Sequence, residues 1–297
     1  MRPLVSFHRK VAAVVTTFNA GDAIRPNLAR IAGQVKIVII VDDSGEPSQA
    51  HALDYTEIDN AIVLRNEGNL GIAAALNRGI AQAESMGCDW VITLDDDTLV
   101  STTYIDDVFA FVQTGVQATA GLIACTRGGG DSGASRGDNG YMVKRTLITS
   151  GCVFETKTIR DVGGFDESLF IDLVDFDICT KLRKSGRNIV LLNKVGMEHR
   201  VGSSRTVRLL GKKIVIYNHS PFRLYYQMRN VFAFARKHLT FDPLLSLYLL
   251  LDFFRLPLKA LFFEQEKRAR LFYLAAGLRD GLLCRGGKLP HRFRADS

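Results

Sequence analysis

Residues 90–97 read Trp90-Val91-Ile92-Thr93-Leu94-Asp95-Asp96-Asp97, an apolar run of strand length that ends in three carboxylates. A run of this kind suits a strand buried on both faces, as in a sheet covered by helices. Three adjacent aspartates repel one another unless a cation offsets their charge. The strand end therefore invites a hard divalent ion, Mg²⁺ or Mn²⁺, which takes oxygen ligands and bridges carboxylates to phosphates. The plain alternative is a solvated turn whose aspartates cap a helix over 98–112. An EF-hand is excluded, because neither its glycine nor its terminal glutamate is in place.

Upstream the same pattern repeats. Apolar runs of strand length lie at 11–17, 36–41 and 61–65, separated by helix-like stretches at 22–33 and 71–87 and by a looser one around 50–56. That alternation predicts an α/β fold with a mostly parallel central sheet flanked by helices and joined by right-handed crossovers. In such sheets ligands bind beyond the carboxyl ends of the strands. Polar clusters occupy those ends: Thr16-Thr17-Phe18-Asn19, Asp42-Asp43-Ser44-Gly45, Asn66-Glu67-Gly68-Asn69 and Asp95-Asp96-Asp97. Residues 118–155 read as further strands around Gly128-Gly129-Gly130-Asp131-Ser132-Gly133. That loop has no helix-opening lysine and is not a nucleotide-hydrolase phosphate loop. It reads as a mobile surface loop or an active-site lid.

Downstream the period changes to that of long helices, predicted at 221–238, 243–263 and 264–284, so residues 1–219 form one domain and 220–297 a helical extension. The 297 residues carry a net charge of +7, yet residues 201–297 hold 18 Lys+Arg against 6 Asp+Glu. A basic C-terminal third on an acidic body attracts anionic membranes, nucleic acid or phosphorylated ligands. Asp252, Arg255 and Lys259 fall within about 60° of one another on the 243–263 helix. A narrow charged stripe on an apolar helix fits a helix lying in a membrane surface better than one spanning it. A helical subdomain packed on the core is the competing reading.

Five cysteines, none at CxxC spacing, predict buried reduced thiols in a cytosolic protein. The apolar stretch 11–15 is shorter than the roughly 7 to 15 residues of a signal-peptide core.

Taken in order, Val14-Val15-Thr16-Thr17-Phe18-Asn19, Val41-Asp42-Asp43-Ser44, Asn66-x-x-Asn69-x-Gly71 with Asn77-x-Gly79, Asp95-Asp96-Asp97 and Gly163-Gly164-Phe165-Asp166-Glu167 resemble the family 2 glycosyltransferases of GT-A fold. Within that family the chain is most similar to bacterial rhamnosyltransferases of lipopolysaccharide O-antigen and related polysaccharides. The resemblance spans roughly residues 11–240 and implies a donor site built from Thr16, Thr17, Asn19, Asp42, Asp43, Asn66, Asn69, Gly71, Asn77, Asp95 and Asp96. It places Asp95 and Asp97, completed by His199 of a late His-x-x-Gly-x-Ser element, on the Mg²⁺ or Mn²⁺ ion. Arg200 and Arg205 would then face phosphate oxygens.

The second acidic cluster, Phe170-Ile171-Asp172-Leu173-Val174-Asp175-Phe176-Asp177, resembles the family's Glu-Asp element, with Val174 in place of the glutamate. A helix starting near Val174 puts Asp175 in its first turn, where the positive helix end favours a carboxylate. The resemblance makes Asp175 the general base, with Asp172 the second candidate. It implies inverting transfer, with dTDP-L-rhamnose as donor and a UDP-sugar such as UDP-galactofuranose as the competitor. The acceptor would be a lipid-linked or polymeric glycan at the inner face of the cytoplasmic membrane.

Two other classes compete. A nucleotidyltransferase would carry a basic glycine-rich loop near the first strand, and Thr16–Gly21 has no basic residue. A non-catalytic membrane or nucleic-acid binder explains the basic C-terminus but leaves the ordered carboxylates without a role, and no nucleic-acid module is present.

Overall fold

The structure is a computed structural model that describes residues 7–45, 57–115, 119–128, 140–199, 204–209, 212–217, 220–263 and 265–290. The 50–56 crossover, most of the glycine-rich loop and Arg200 lie outside the described residues.

By contacts the chain forms two compact units, Met1–Asp166 with Asp175–Arg200, and Glu167–Val174 with Val201–Ser297. The second takes in Glu167–Val174 and residues 201–219, which the boundary expected at 219 assigns to the first domain.

In the first unit the elements run β1 (Val11–Thr17), a 3₁₀ turn Asp22–Ile24, α1 (Arg25–Ala32), β2 (Ile37–Asp42), β3 (Ala61–Arg65), α2 (Ile72–Ser85), β4 (Trp90–Asp95), β5 (Thr98–Val100), α3 (Tyr104–Val112), β6 (Ala120–Arg127), β7 (Tyr141–Lys144), β8 (Cys152–Glu155), α4 (Thr156–Asp161), α5 (Val174–Lys184) and β9 (Asn188–His199). Strand order is β3-β2-β1-β4-β8-β6-β9-β5, with β7 also on β9. The β3-β2-β1-β4 half is parallel, as the alternating pattern predicts. Beyond β4 the sheet is mixed: β8 joins β4 antiparallel, while β6 and β9 pair in parallel.

Every residue of β1 is buried, because helices cover both faces of the sheet centre and a parallel strand flanks each side. Gly79 lets α2 approach this strand. A Cβ there would stand 2.4 Å from Val14 Cγ1, so the Asn77-x-Gly79 spacing has a packing reason. The helix considered for 98–112 is corrected. Thr98–Val100 is a short strand antiparallel to β9, and the helix begins only at Tyr104. Its partner lies about a hundred residues downstream, which local periodicity cannot report. Four of the five cysteines are buried and all are free thiols.

The second unit holds a 3₁₀ turn Glu167–Leu169, the hairpin β10 (Ser204–Leu209) and β11 (Lys212–Tyr217), then α6 (Pro221–His238), α7 (Pro243–Leu250), α8 (Asp252–Phe263) and α9 (Lys267–Leu282). The single helix expected over 243–263 is two, broken at Leu251, with Asp242 capping α7 through Leu245 N at 3.2 Å. Helices α6 and α9 touch closely, and a Cβ on Gly277 would lie 2.4 Å from Tyr225 O. Leu244, Leu247, Tyr248 and Leu251 along α7, and Phe254, Leu258, Leu261 and Phe262 along α8, are all exposed, each set at the three- and four-residue spacing of one helix face. Among the described residues no helix is long and apolar enough to cross a membrane.

Candidate functional site

The parallel register brings three polar strand ends side by side. Thr16 pairs with Val41 on one flank and Asp95 on the other, and Thr17 with Asp42. Beyond these ends the chain turns sharply. Asn19 has φ 52°, and its N–H donates to Ser44 Oγ at 2.7 Å, while Ser44 Oγ donates to Asp42 Oδ1 at 2.5 Å. The first two tips are thus tied together, with Asn19 exposed.

Asp43 is only 5% exposed. Its carboxylate accepts from Asn66 Nδ2, Leu70 N and Gly71 N, each at 2.8 Å. It therefore shapes the loop before α2, where Gly71 takes φ 93° and Asn69 Oδ1 also accepts from Gly71 N at 3.1 Å. Asn77 is committed to backbone in the same way. Its Nδ2 donates to Phe165 O and its Oδ1 accepts from Phe165 N, both at 2.9 Å. Asp43, Asn66, Asn69 and Asn77 thus all make contacts within the protein that hold the loops beyond the strand ends.

Around Asp95 the side chains have another character. Burial pushes its carboxyl up to about 7, and the neighbouring charges of Asp175, Asp97 and Asp96 push the same way, against an opposing pull from Arg127. Asp96 is also raised, by burial and by Asp97, against backbone N–H groups that include Phe18. Residues just before β8 join this strand end to α5. Asp95 N donates to Ser150 Oγ at 3.0 Å, and Thr149 Oγ1 donates to Asp175 Oδ1 at 2.9 Å. Thr93 Oγ1 in turn donates to Thr149 O at 2.7 Å. The structure so brings Asp175, eighty residues downstream of Asp95, to the tip of β4.

Asp172 is placed differently. Its carboxylate takes a bidentate pair from Arg223, Nε to Oδ1 at 3.0 Å and Nη2 to Oδ1 at 2.8 Å with Nε also 3.1 Å from Oδ2. Sequence reading missed Thr149, Ser150 and Arg127, which carry no local motif and are recruited by strand pairing alone.

A cleft of about 290 Å³ opens beside the cluster, lined by Asn19, Gly21, Asn27, Asp96, Asp97 and Leu99 among others. Asn27 Nδ2 donates to Asp96 O at 2.8 Å and fixes its wall. Among the described residues no group of three His, Cys, Asp or Glu is already gathered for a metal ion. Backbone register sets His199 opposite Thr98, next to Asp97 in the chain, and its side chain is outside the described set. Carboxylates raised by burial and by one another's charge are nonetheless the hard-oxygen donors that Mg²⁺ or Mn²⁺ selects, so the residues present fit such an ion.

Comparison with known proteins agrees with this geometry. The chain is 28% identical over 250 residues to dTDP-rhamnosyl transferase RfbF of Shigella flexneri, covering 77% of this chain and 80% of that protein. The crystal structure of S. aureus TarS 1-349 matches with a TM-score of 0.57 at 18% identity, over 92% of this chain and 80% of that one. TarS 1-349 has also been solved in complex with UDP-GlcNAc, at the same TM-score over 96% of this chain and 82% of that one. GalNAc-T7 with UDP, GalNAc and Mn²⁺ matches with a TM-score of 0.55 at 14% identity, over 68% of this chain and 44% of that one. These neighbours establish the GT-A fold, a central sheet flanked by helices. Residues 12–158, just under half of the chain, match the family model for Glycosyl transferase family 2, so the chain carries a family 2 glycosyltransferase domain.

Proposed function

We propose that the protein transfers a sugar, L-rhamnose from dTDP-L-rhamnose, to a lipid-linked or polymeric glycan acceptor with inversion at the anomeric carbon. The observation that carries this reading is the meeting of Asp95, Asp96, Asp97 and Asp175 at one strand end beside an open cleft. The rhamnosyl choice over a UDP-sugar is supported by the likeness to the Shigella enzyme across most of both chains.

In this reading Asp95 and Asp97, with His199, hold Mg²⁺ or Mn²⁺. When bound, the ion supplies Lewis-acid stabilisation of the departing nucleoside diphosphate. The tips Thr16–Asn19 and Asp42–Ser44 flank the nucleotide, and Asp43 and Asn77 keep the neighbouring loops in place for it. Thr149 orients the Asp175 carboxylate. Asp175 accepts the proton of the acceptor hydroxyl as its oxygen attacks the anomeric carbon, and the C–O bond to the diphosphate breaks on the opposite side. Replacing Asp175 by Asn is expected to leave donor affinity near wild type and to lower turnover by about 10²-fold or more. Calorimetry and a nucleotide-release assay read the two effects separately, and wild-type turnover would remove Asp175 from the role.

For the helical unit we propose attachment to the inner face of the cytoplasmic membrane. The exposed apolar faces of α7 and α8, on a C-terminal third rich in Lys and Arg, support an anionic lipid surface as the partner.

A further inference from the structure

Residues 170–173, which lead into α5, have an unusual backbone. Phe170, Asp172 and Leu173 take φ values of 65°, 65° and 60°, the left-handed region, and none is a glycine. Such conformations persist only where surrounding structure over-determines them. Here α6 does so. Asn230, fully buried, donates through Nδ2 to the carbonyls of Leu169, Ile171 and Asp172 at 3.0, 2.7 and 2.8 Å. Its neighbour Arg229, 1% exposed, donates through Nη2 to Ser168 O at 2.9 Å and Leu169 O at 2.7 Å, and through Nε to Asn230 Oδ1 at 2.8 Å. Two tyrosine rings, Tyr225 and Tyr226, lie 5.4 and 5.0 Å from that guanidinium, and Phe170 stacks on Tyr226 at 4.8 Å. Arg223 adds the bidentate pair to Asp172. Every carbonyl from 168 to 172 except that of Phe170 is therefore held by one of two adjacent side chains of one helix.

We infer that Arg223, Arg229 and Asn230 are positioning residues for Asp175: they lock the left-handed turn whose end fixes where α5 starts, and so where its second residue carries the base. The inference rests on the reading of Asp175 as base. It gives Asp172 a role as the anchor of the turn, in place of the proton transfer considered for it.

The test uses the full-length chain with Arg223→Ala, because the Arg223 side chain is 39% exposed and its removal leaves no large cavity. Hydrogen–deuterium exchange over residues 173–177 should accelerate about tenfold, with the melting temperature nearly unchanged. Release of dTDP from dTDP-L-rhamnose with Mn²⁺, water serving as acceptor, should lose about tenfold in kcat with KM unmoved, and Arg223→Lys should recover part of it. In an Asp175→Asn background the same Arg223→Ala change should cost nothing further. Unchanged exchange at 173–177, or a loss that persists at full size in the Asp175→Asn background, overturns the positioning role alone. Wild-type turnover by Asp175→Asn overturns instead the reading of the base on which it depends.

Discussion

Asp95 and Asp280 are the same residue type driven in opposite directions. At the tip of β4, burial and three neighbouring carboxylates push Asp95 up to about 7. In the helical unit burial would raise Asp280 as well, but Arg279, Tyr225 and Arg285 donate to it and hold it below the ordinary carboxylate range. The helical unit satisfies its buried charges internally, as Arg229 and Asp172 also show, and leaves apolar surface uncovered instead. The sheet unit buries its central strand β1 completely and leaves acidic charge crowded at one edge. Each unit thus carries one kind of group at a cost, and the proposed partners would offset it: a cationic centre with a diphosphate for the first, a lipid surface for the second.

The largest effect should come from removing crowded charge. Asp95→Asn is expected to lower turnover by about 10²-fold or more while raising the melting temperature of the metal-free chain by about 2 °C, because a repelling carboxylate disappears. Steady-state kinetics and a thermal melt in EDTA read both. A variant that loses activity and also melts lower would break the contrast.

Asp280→Asn sharpens the other side. A carboxylate whose folded pKa is depressed stabilises the fold above its unfolded value near 4, and that contribution is lost as pH falls through the folded value. The variant should melt about 3 °C lower at pH 7, and the gap should close towards pH 2. A gap independent of pH would mean that packing, not charge, is what Asp280 supplies.

The smallest effect in solution, and the one specific to lipid, concerns the exposed apolar faces of α7 and α8. The triple change Leu247→Glu, Phe254→Glu and Phe262→Glu should leave the fold and nucleotide release intact. It should abolish flotation with vesicles containing anionic lipid. Flotation equal to wild type would show that these faces are not the attachment surface.

The parallel half of the sheet was legible because its strands are continuous runs of strand length rich in apolar and β-branched residues, and the buried β1 and the half-buried edge strand β3 begin and end where those runs do. The strand-end polar clusters were legible as positions, but their division of labour was not. Asp43 and Asn77 look like ligand contacts in sequence, whereas the backbone amides that occupy them belong to residues 70, 71 and 165. Strand β5 and the recruitment of Thr149 and Ser150 depend on pairings across fifty to a hundred residues, which no local period encodes. The break at Leu251 was hidden for the converse reason. The run from Leu244 to Leu251 is apolar on every side, so it carries no phase and no Gly or Pro marks the stop.

The most direct test titrates dTDP-L-rhamnose into the full-length chain by calorimetry, with Mn²⁺ and then with EDTA, for wild type and for Asp95→Asn. Binding that weakens at least about tenfold both on chelation and on losing Asp95 is the result predicted from a divalent ion shared between these carboxylates and a diphosphate. Wild-type affinity retained in EDTA, or in Asp95→Asn, would contradict it.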